Sequence, residues 1–390
     1  MTLTQPTPTR FHTSVTERQD FRTCRRRWYL GVHENLQPKQ AVTWYLIFGD
    51  CWHAGMDAYY RPKTSRSWKP PRDISLAMDA FTEAWEKEDQ LLREMYAGFY
   101  ANGIEEEWNM HRERGLEMLK YYNLYDKAHP LFDKVIEVGV EERAFVDILG
   151  PGGEHLRGEH LPDLPLLSGR IDLVVEKDNG IFIVDHKALA GQANDKALDL
   201  DDQLTAYTYI WWRISGSIPQ GAFYNVAIKD PPKQPRMLVN GTLSMDKSAR
   251  TTMELYRQAL KDMGVKGTKQ MGPGGVVIQD YSEYLDWLGQ KGWHQFYQRI
   301  GPVRKSREQL ESFERYLYYE MQDMEKALED ENFRYGARSQ YVCPGCPYMM
   351  LSQAMEDQGN VDLVIRSGYK RTEPRVQIPE EIQSPNWKGV

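Results

Sequence analysis

The chain has 390 residues, of which 41% are hydrophobic and 12% aromatic, and its formal net charge at pH 7 is -7. This length allows two average domains or one large domain with insertions, and the apolar content excludes disorder of the whole chain. The acidic balance excludes a globally basic nucleic-acid binder, so any nucleic-acid site must be a local basic surface.

Composition also predicts the compartment. No stretch approaches the roughly 18 uncharged apolar residues that a membrane helix needs. Residues 1–10 lack the apolar core of a signal peptide. Four cysteines do not make a secreted disulfide framework. We therefore expect a soluble cytoplasmic protein with reduced cysteines and no membrane partner.

The first third of the chain is predicted to be mainly helical. Residues 1–10 are rich in Thr and Pro, and we expect them to be disordered. Apolar spacing typical of helices follows at 14–33, at 44–60 and at 76–127, with a Pro-rich loop at 62–72.

The pattern changes to strands after residue 130. Short runs rich in Val, Ile and Phe are separated by turns containing Gly or Pro, and one helix is predicted at 200–213. We expect a flexible loop at 264–275, then helices again, and a flexible tail from about 366. The predicted strands are 135–149, 170–176, 181–187 and 222–228, and the apolar stripe of the last long helix is Leu310, Phe313, Leu317, Met324 and Leu328.

The most informative passage is 168–187, SGRIDLVVEKDNGIFIVDHK. Asn179 and Gly180 form the strongest short hairpin signal and favour a type I′ turn. If these two residues are the loop, the numbers of opposed residues sum to 359. A slip of one residue would move every side chain to the other face, so the inference depends on this turn.

This register places three chemically active side chains on one face. Asp172 opposes Lys187, and Asp185 opposes Val174, so alternation brings Asp172, Asp185 and Lys187 together. The two aspartates are then diagonal neighbours, roughly 7–8 Å apart at the backbone. The opposite face is expected to carry Ile171, Leu173, Val175, Phe182, Val184 and His186.

Two carboxylates beside an amine suit phosphodiester hydrolysis. Carboxylate oxygens bind Mg²⁺ or Mn²⁺. Such an ion polarises a phosphoryl oxygen and generates hydroxide from bound water, and an ammonium group stabilises the developing charge. The alternative is a surface hairpin whose acids and lysine only pair across strands.

Neighbouring segments supply further residues that favour an active site over a surface hairpin. Gln203 and Tyr207 are spaced i, i+4 and share one helix face, with Asp201 and Asp202 in the first turn. His53 lies on a predicted helix and is a candidate third metal ligand, although a lone histidine is more often structural.

The order of these motifs resembles the PD-(D/E)XK nuclease superfamily. His53 comes first, then GRID with Asp172, then IVDHK with Asp185 and Lys187, then the QLTAY segment. The likeness is greatest to the RecB-like branch, which includes phage exonucleases and CRISPR-associated exonucleases with an iron–sulfur cluster. The resemblance implies an α/β fold with a restriction-endonuclease-like core, in which a central mixed β-sheet is flanked by helices and carries large helical insertions.

The resemblance also implies a chemistry for each matched residue. Asp185 stands where the family more often has Glu, and Ala188 replaces a frequent Thr or Ser. The implied metal ligands for Mg²⁺ or Mn²⁺ are His53, Asp172 and Asp185; the implied catalytic lysine is Lys187; and Gln203 and Tyr207 match the family's Q-x-x-x-Y motif, which supports the site and contacts DNA.

The implied activity is metal-dependent DNA cleavage, as an exonuclease in recombination, repair or phage DNA metabolism. DNA is the expected partner, together with recombination or replication proteins, and a phage-encoded protein would act in the host cytoplasm. The alternative functions are a catalytically silent DNA-binding protein and a zinc-stabilised adaptor of the same fold.

The resemblance gives domain boundaries as well. We expect one nuclease domain at 11–365, between the disordered residues 1–10 and a flexible tail at 366–390. Within the domain we expect a helical insertion at 60–130, C-terminal helices at 280–335 and a cysteine knuckle at 341–355.

Three cysteines match the layout of the iron–sulfur relatives. Cys24 is early, Cys343 and Cys346 form a late C-x-x-C, and the fourth ligand position falls at Ser352. A [4Fe–4S] cluster normally takes four thiolates, so the site is degenerate, uses another ligand or holds Zn²⁺. Packed cysteines without metal are an equal alternative. Cys51 is expected near the active site or in the core.

Basic runs supply candidate DNA contacts. Short basic runs are more often solvated faces, which is the alternative. The candidates are Arg25, Arg26, Arg27, Arg304, Lys305 and Arg307, with Trp28 and Tyr29 as candidates for stacking on bases.

Overall fold

The computed structural model describes residues 12–39, 44–61, 73–95, 104–130, 134–135, 143–150, 152–153, 166–193, 195–336 and 339–373. The predicted disordered residues 1–10 and the Pro-rich loop 62–72 lie outside the described residues. The helices are α1 Val15–Thr23, α2 Arg25–Trp28, α3 Trp44–Tyr60, α4 Ile74–Met95, α5 Ile104–Ala128, α6 Asp202–Ser215, α7 Met253–Asp262, α8 Ser282–Lys291, α9 Arg307–Glu329, α10 Met349–Glu356 and α11 Val361–Gly368.

The strands form one main sheet and three smaller ones. The main sheet has the order β11-β8-β7-β6-β3, and the others are β1-β5-β4, β10-β9 and β12-β2. The strands are β1 His12–Ser14, β2 Leu36–Pro38, β3 Lys134–Val135, β4 Arg143–Asp147, β5 Leu166–Arg170, β6 Leu173–Lys177, β7 Gly180–Leu189, β8 Gly221–Ile228, β9 Lys269–Met271, β10 Val277–Asp280, β11 Tyr297–Val303 and β12 Tyr369–Arg371.

The main sheet is mixed, and helices cover both of its faces. Strands β7 and β8 run parallel, whereas β6 and β11 pair antiparallel with their neighbours. One apolar core joins this sheet to α6 and α9, and a second joins it to α3, α4 and α5. The α/β fold with a central mixed sheet flanked by helices is therefore confirmed.

Local signals explain where the early helices begin. Ser14 caps α1 through a capping box, since its hydroxyl accepts from the Glu17 amide and the Glu17 carboxylate accepts from the Ser14 amide. The predicted helix 14–33 is broken at Cys24, whose backbone is extended. The predicted helix 44–60 has the bounds of α3.

The hairpin loop lies one residue earlier than the sequence indicated. Lys177 pairs with Gly180, and Asp178 and Asn179 form the turn with φ of 50° and 59°, as a type I′ turn requires. The prediction that Asn179 and Gly180 are the loop is wrong. The numbers of opposed residues sum to 357 instead of 359, so the register is shifted by two residues. Because side chains alternate faces with a period of two, β7 keeps each side chain on its predicted face.

Three other segments differ from their predictions. The expected loop 264–275 contains β9, and the expected C-terminal helices 280–335 include β11, an edge strand of the main sheet. The first residues of the tail expected at 366–390 complete α11 and form β12, which pairs with β2, and residues 374–390 lie outside the described residues. Among the described residues, no helix is long and apolar enough to cross a membrane.

The contact between α4 and α5 yields a stability prediction. A Cβ on Gly115 would lie 2.1 Å from Cζ of Phe81, whose ring is fully buried. Gly115→Ala should therefore destabilise the protein by about 1–3 kcal/mol, measured by urea unfolding, because the core must overpack. Gly49→Ala is the matched control, since a Cβ at this helical glycine meets nothing within 4 Å. Equal stability of the two variants would contradict this packing.

Candidate active site

Asp172 lies where the chain passes from one sheet to another. Strand β5 belongs to the three-stranded sheet and β6 to the main sheet, and the break between them consists of Ile171 and Asp172. Ile171 packs in the same core as Val174, whereas Leu173 packs in the opposite core. The prediction that Ile171 shares a face with Leu173 is therefore wrong, because alternation stops at this break.

The Asp172 carboxylate is held by two donors. Its Oδ2 accepts from the backbone amide of His186 at 2.8 Å and lies 3.0 Å from Nδ1 of His53 on α3. Burial opposes ionisation of Asp172, but His53 and the amide outweigh it and lower the pKa of Asp172 to about 2. The same pair raises the pKa of His53 against the effect of its burial. An imidazolium–carboxylate pair is thus favoured.

Asp185 lies in the middle of the main sheet on β7 and is 1% exposed. Its Oδ1 accepts from Nε2 of Gln203 at 2.9 Å, and Nζ of Lys187 lies 2.7 Å from its Oδ2. Burial raises the pKa of Asp185 to about 6, assisted by the charge of Asp172 and opposed by Lys187. The site therefore holds one firmly ionised carboxylate and one whose ionisation is opposed by burial.

Gln203 joins the parts of the site. Helix α6 begins at the N-cap Asp201, whose carboxylate accepts from the Leu204 amide at 2.8 Å. In the first turn, Gln203 Oε1 accepts from Nζ of Lys187 at 2.8 Å, while its Nε2 donates to Asp185 and, at 3.0 Å, to the Tyr207 hydroxyl. The i, i+4 placement of Gln203 and Tyr207 on one helix face is as predicted.

Sequence patterns did not indicate Tyr224 at the site or Asn225 on the opposite face of the sheet. Tyr224 on β8 is paired with Asp185, and its ring centroid lies 5.3 Å from Nζ of Lys187. Asn225 on the same strand donates to the Tyr122 hydroxyl at 2.7 Å and lies 2.9 Å from Nδ1 of His186. Both lie on a short buried strand with no charged residue, so only the register with β7 reveals them.

The donor set fits a hard divalent cation. Asp172 and Asp185 are buried together, and Asp185 keeps a proton more readily than usual because burial disfavours its charged form and Asp172 lies nearby. In the described ranges no three His, Cys, Asp or Glu side chains are grouped to hold a metal. Mg²⁺ typically binds through one or two carboxylates and keeps several waters, so Asp172 and Asp185 would be its side-chain ligands. Nδ1 of His53 is engaged with Asp172, so His53 would add its Nε2 to this set only as the neutral imidazole.

The cysteines are close together but are not arranged for a cluster. Burial raises the pKa of the Cys346 thiol, and the neighbouring Cys24 and Cys343 raise it further. Nη1 of Arg26 donates to Ser352 Oγ at 2.8 Å, which engages the fourth ligand position. In the part of the chain described, no group of three or more His, Cys, Asp or Glu side chains, the cysteines included, is placed to hold a metal ion. Cys51 is fully buried in the core around α3.

The basic run at 25–27 forms internal contacts. Arg25 pairs with Asp323 at 3.0 Å and lies 3.9 Å over the Phe333 ring, Arg26 pairs with Glu356, and Arg27 pairs with Asp20. Lys305 donates to the Asp199 carbonyl, whereas Arg304 is exposed. DNA contact by these residues remains a prediction. Stacking of bases on Trp28 is excluded, because this side chain is 3% exposed and packs edge-on against Phe21.

Comparison with known proteins gives one family. The family model described as the PD-(D/E)XK nuclease superfamily matches residues 12–351. No curated protein matches the chain. Among solved structures, the crystal structure of SSO0001 is 14% identical, with 47% of this chain and 70% of that chain covered and a TM-score of 0.18, a likeness too weak to argue from.

Asp172 generates a prediction about metal binding. Asp172→Asn should weaken Mn²⁺ binding at least tenfold in calorimetry, because it removes an ionised ligand. Asp178→Asn in the exposed hairpin turn is the matched control and should bind like the unchanged protein. Equal Mn²⁺ affinity of the two variants would mean that Asp172 is not a ligand.

Asp185 generates a prediction about pH. The raised pKa of Asp185 means that its proton leaves only as the pH rises through about 6. Proton and metal should therefore compete below that value, and Mn²⁺ affinity should fall about fivefold between pH 6 and pH 5. Calorimetry in buffers with different ionisation enthalpies should also detect proton release near pH 6. A flat profile from pH 7.5 to 5 would contradict this coupling.

Proposed function

Because the chain belongs to the PD-(D/E)XK nuclease superfamily, a superfamily of metal-dependent nucleases, we propose that Asp172, Asp185 and Lys187 are its catalytic centre and that it cleaves DNA. The observation that carries the proposal is the hydrogen-bonded unit in which Gln203 links Lys187 to Asp185. A helix residue 16 and 18 positions beyond the two strand residues binds both of them, which a hairpin with incidental charge pairs does not require.

The chain's own residues would divide the work as follows. Asp172 and Asp185 would hold Mg²⁺ or Mn²⁺, which supplies Lewis acidity toward the phosphoryl oxygen and lowers the pKa of bound water. Lys187 would place its ammonium group beside the scissile phosphate and stabilise charge in the pentavalent transition state. Gln203 would fix Lys187, and Tyr207 would fix Gln203.

His53 and Tyr224 would complete the surroundings of the reacting groups. His53 holds Asp172 from α3, and this pairing keeps the carboxylate ionised. The Tyr224 ring lies beneath the Lys187 ammonium and limits where it can point. Preorganisation of this kind avoids the free-energy cost of reorienting polar groups during the reaction.

We further propose that the protein is of the RecB-like type and is an exonuclease that acts on DNA ends in recombination, repair or phage DNA metabolism. The proposal is supported by the order His53, Asp172, Asp185-x-Lys187 and Gln203-x-x-x-Tyr207. A timed digest of end-labelled linear DNA and covalently closed circular DNA, with Mg²⁺, Mn²⁺ or EDTA, tests it. Cleavage of circular DNA at the same rate would make the protein an endonuclease.

Lys187 provides the sharpest test of catalysis. Lys187→Ala should lower the cleavage rate at least a hundredfold while DNA affinity in EDTA changes less than threefold, because the ammonium acts mainly on the transition state. Lys177→Ala, on the same hairpin, is the matched control and should cleave normally. Undiminished cleavage by Lys187→Ala would remove this lysine from the mechanism.

The alternatives are a DNA-binding protein without catalysis and an adaptor stabilised by zinc. The first would bind DNA but leave it intact with every divalent ion. The second would contain stoichiometric zinc by elemental analysis. The engagement of Ser352 by Arg26 favours neither zinc nor a cluster at the cysteines.

A further inference from the structure

A compact insertion separates β8 from β11. Residues 229–296 contain α7, α8 and the β9–β10 hairpin, and we call this segment the insertion. It has its own apolar core, formed by Leu243, Tyr256, Leu260, Tyr281, Tyr284, Leu285 and Leu288. The insertion is therefore a small folded unit rather than a loose loop.

The insertion leaves the main sheet at the same ends of the strands as the candidate site. Strands β7 and β8 run parallel, so Ile228 at the end of β8 lies beside Leu189, two residues beyond Lys187. The amide of Lys229 then donates to the Leu189 carbonyl at 2.7 Å. Strand β11 returns antiparallel, with Tyr297 opposite Ala227. Both ends of the insertion are thus fixed close to the end of β7 that carries Lys187.

The insertion presents apolar side chains to solvent. Val276 is 67% exposed and Ile278 is 51% exposed, and both lie in the β9–β10 hairpin. Gln270 in β9 donates to the Gly241 carbonyl at 3.0 Å, which joins the hairpin to a neighbouring loop with further exposed apolar residues. The exposed set, which we call the apolar tip, is Met237, Val239, Met271, Val276, Val277 and Ile278.

The charge of the insertion is opposite to that of the chain. It contains ten Lys and Arg against seven Asp and Glu, a net charge of +3, whereas the whole chain carries -7. Exposed Arg236, Lys266 and Lys269 lie within a few residues of the apolar tip. A second copy docking tip to tip would bring two positive surfaces together, whereas a phosphate backbone is attracted to one.

From these observations we propose that the insertion binds a DNA end and that the apolar tip packs against the terminal base pair. This proposal rests on the proposed function and names the feature of the DNA that the insertion recognises. A terminal base pair exposes an apolar aromatic face that interior base pairs lack, and apolar protein side chains pack on such faces. The basic side chains beside the tip bind the adjacent phosphates. The insertion that would hold the end is joined to the main sheet beside the end of β7 that carries Lys187.

The test uses two DNA duplexes that differ only in their ends. One is a short blunt duplex and the other is the same duplex closed by loops at both ends, so that no terminal face is exposed. Affinities are measured by fluorescence anisotropy in EDTA, so cleavage plays no part. The protein should prefer the open duplex about tenfold, and Val276→Ser with Val277→Ser should abolish this preference while binding to the closed duplex stays within twofold.

Matched controls make the outcome specific. Met350→Ser with Leu363→Ser replaces equally exposed apolar side chains in α10 and α11 and should keep the preference for the open duplex. Lys266→Ala with Lys269→Ala should weaken binding to both duplexes. It should also make the slope of log affinity against log salt concentration shallower, by the amount expected for about two lost phosphate contacts. Because the serine sites are exposed, folding should be unchanged in thermal unfolding.

Each result separates this proposal from the proposed function. A retained open-end preference in the Val276→Ser, Val277→Ser variant overturns the role of the tip, even if the protein cuts DNA. A lost preference supports it, even if no metal ion supports cleavage. If light scattering shows a dimer that only the tip variant dissociates, and DNA binding is unaffected, the surface binds a second copy and the proposal is wrong.

Discussion

Placing two carboxylates together out of contact with water is the constraint on which this structure depends. Each buried charge must be compensated by partners, because an uncompensated ion in a protein interior is strongly unfavourable. Asp172 obtains compensation from His53 and the His186 amide, whereas Asp185 obtains less, as its pKa of about 6 records. Burial opposes ionisation of Asp185, so a cation bound beside it would favour the ionised form.

The architecture supplies each partner from a different layer. Strand β7 carries Asp185 and Lys187 toward α6, while His186 points to the other side of the sheet and stacks on Tyr60 with ring centroids 5.4 Å apart. Tyr60 lies two turns after His53 on α3, so one helix contacts both Asp172 and the residue between Asp185 and Lys187. Helix α3 thus contacts Asp172 directly and also packs against β7 on the face opposite Asp185 and Lys187.

Sequence patterns predicted the fold where local periodicity and burial agree. Helix α3 and strand β7 are long and strongly patterned, and the grouping of Asp185 with Lys187 followed from alternation. Strand β11 was missed because it is an edge strand with Gly301 and Pro302 inside it, which reads as a turn. The break at Asp172 was not predictable from alternation, since it arises where the chain changes sheets and no residue there signals a turn.

Three cysteines match the ligand motif of a cluster, but the fourth ligand position holds Ser352. Cys24, Cys343 and Cys346 are neighbours, yet the join between the early helices and the C-terminal segment is made by other groups. Arg26 bonds to Ser352 and Glu356, and β2 pairs with β12. These contacts already hold α2 against α10, so a cluster is not needed to connect them. In the described arrangement, the junction between α2 and α10 is made by the Arg26–Glu356 ion pair and the Arg26–Ser352 hydrogen bond.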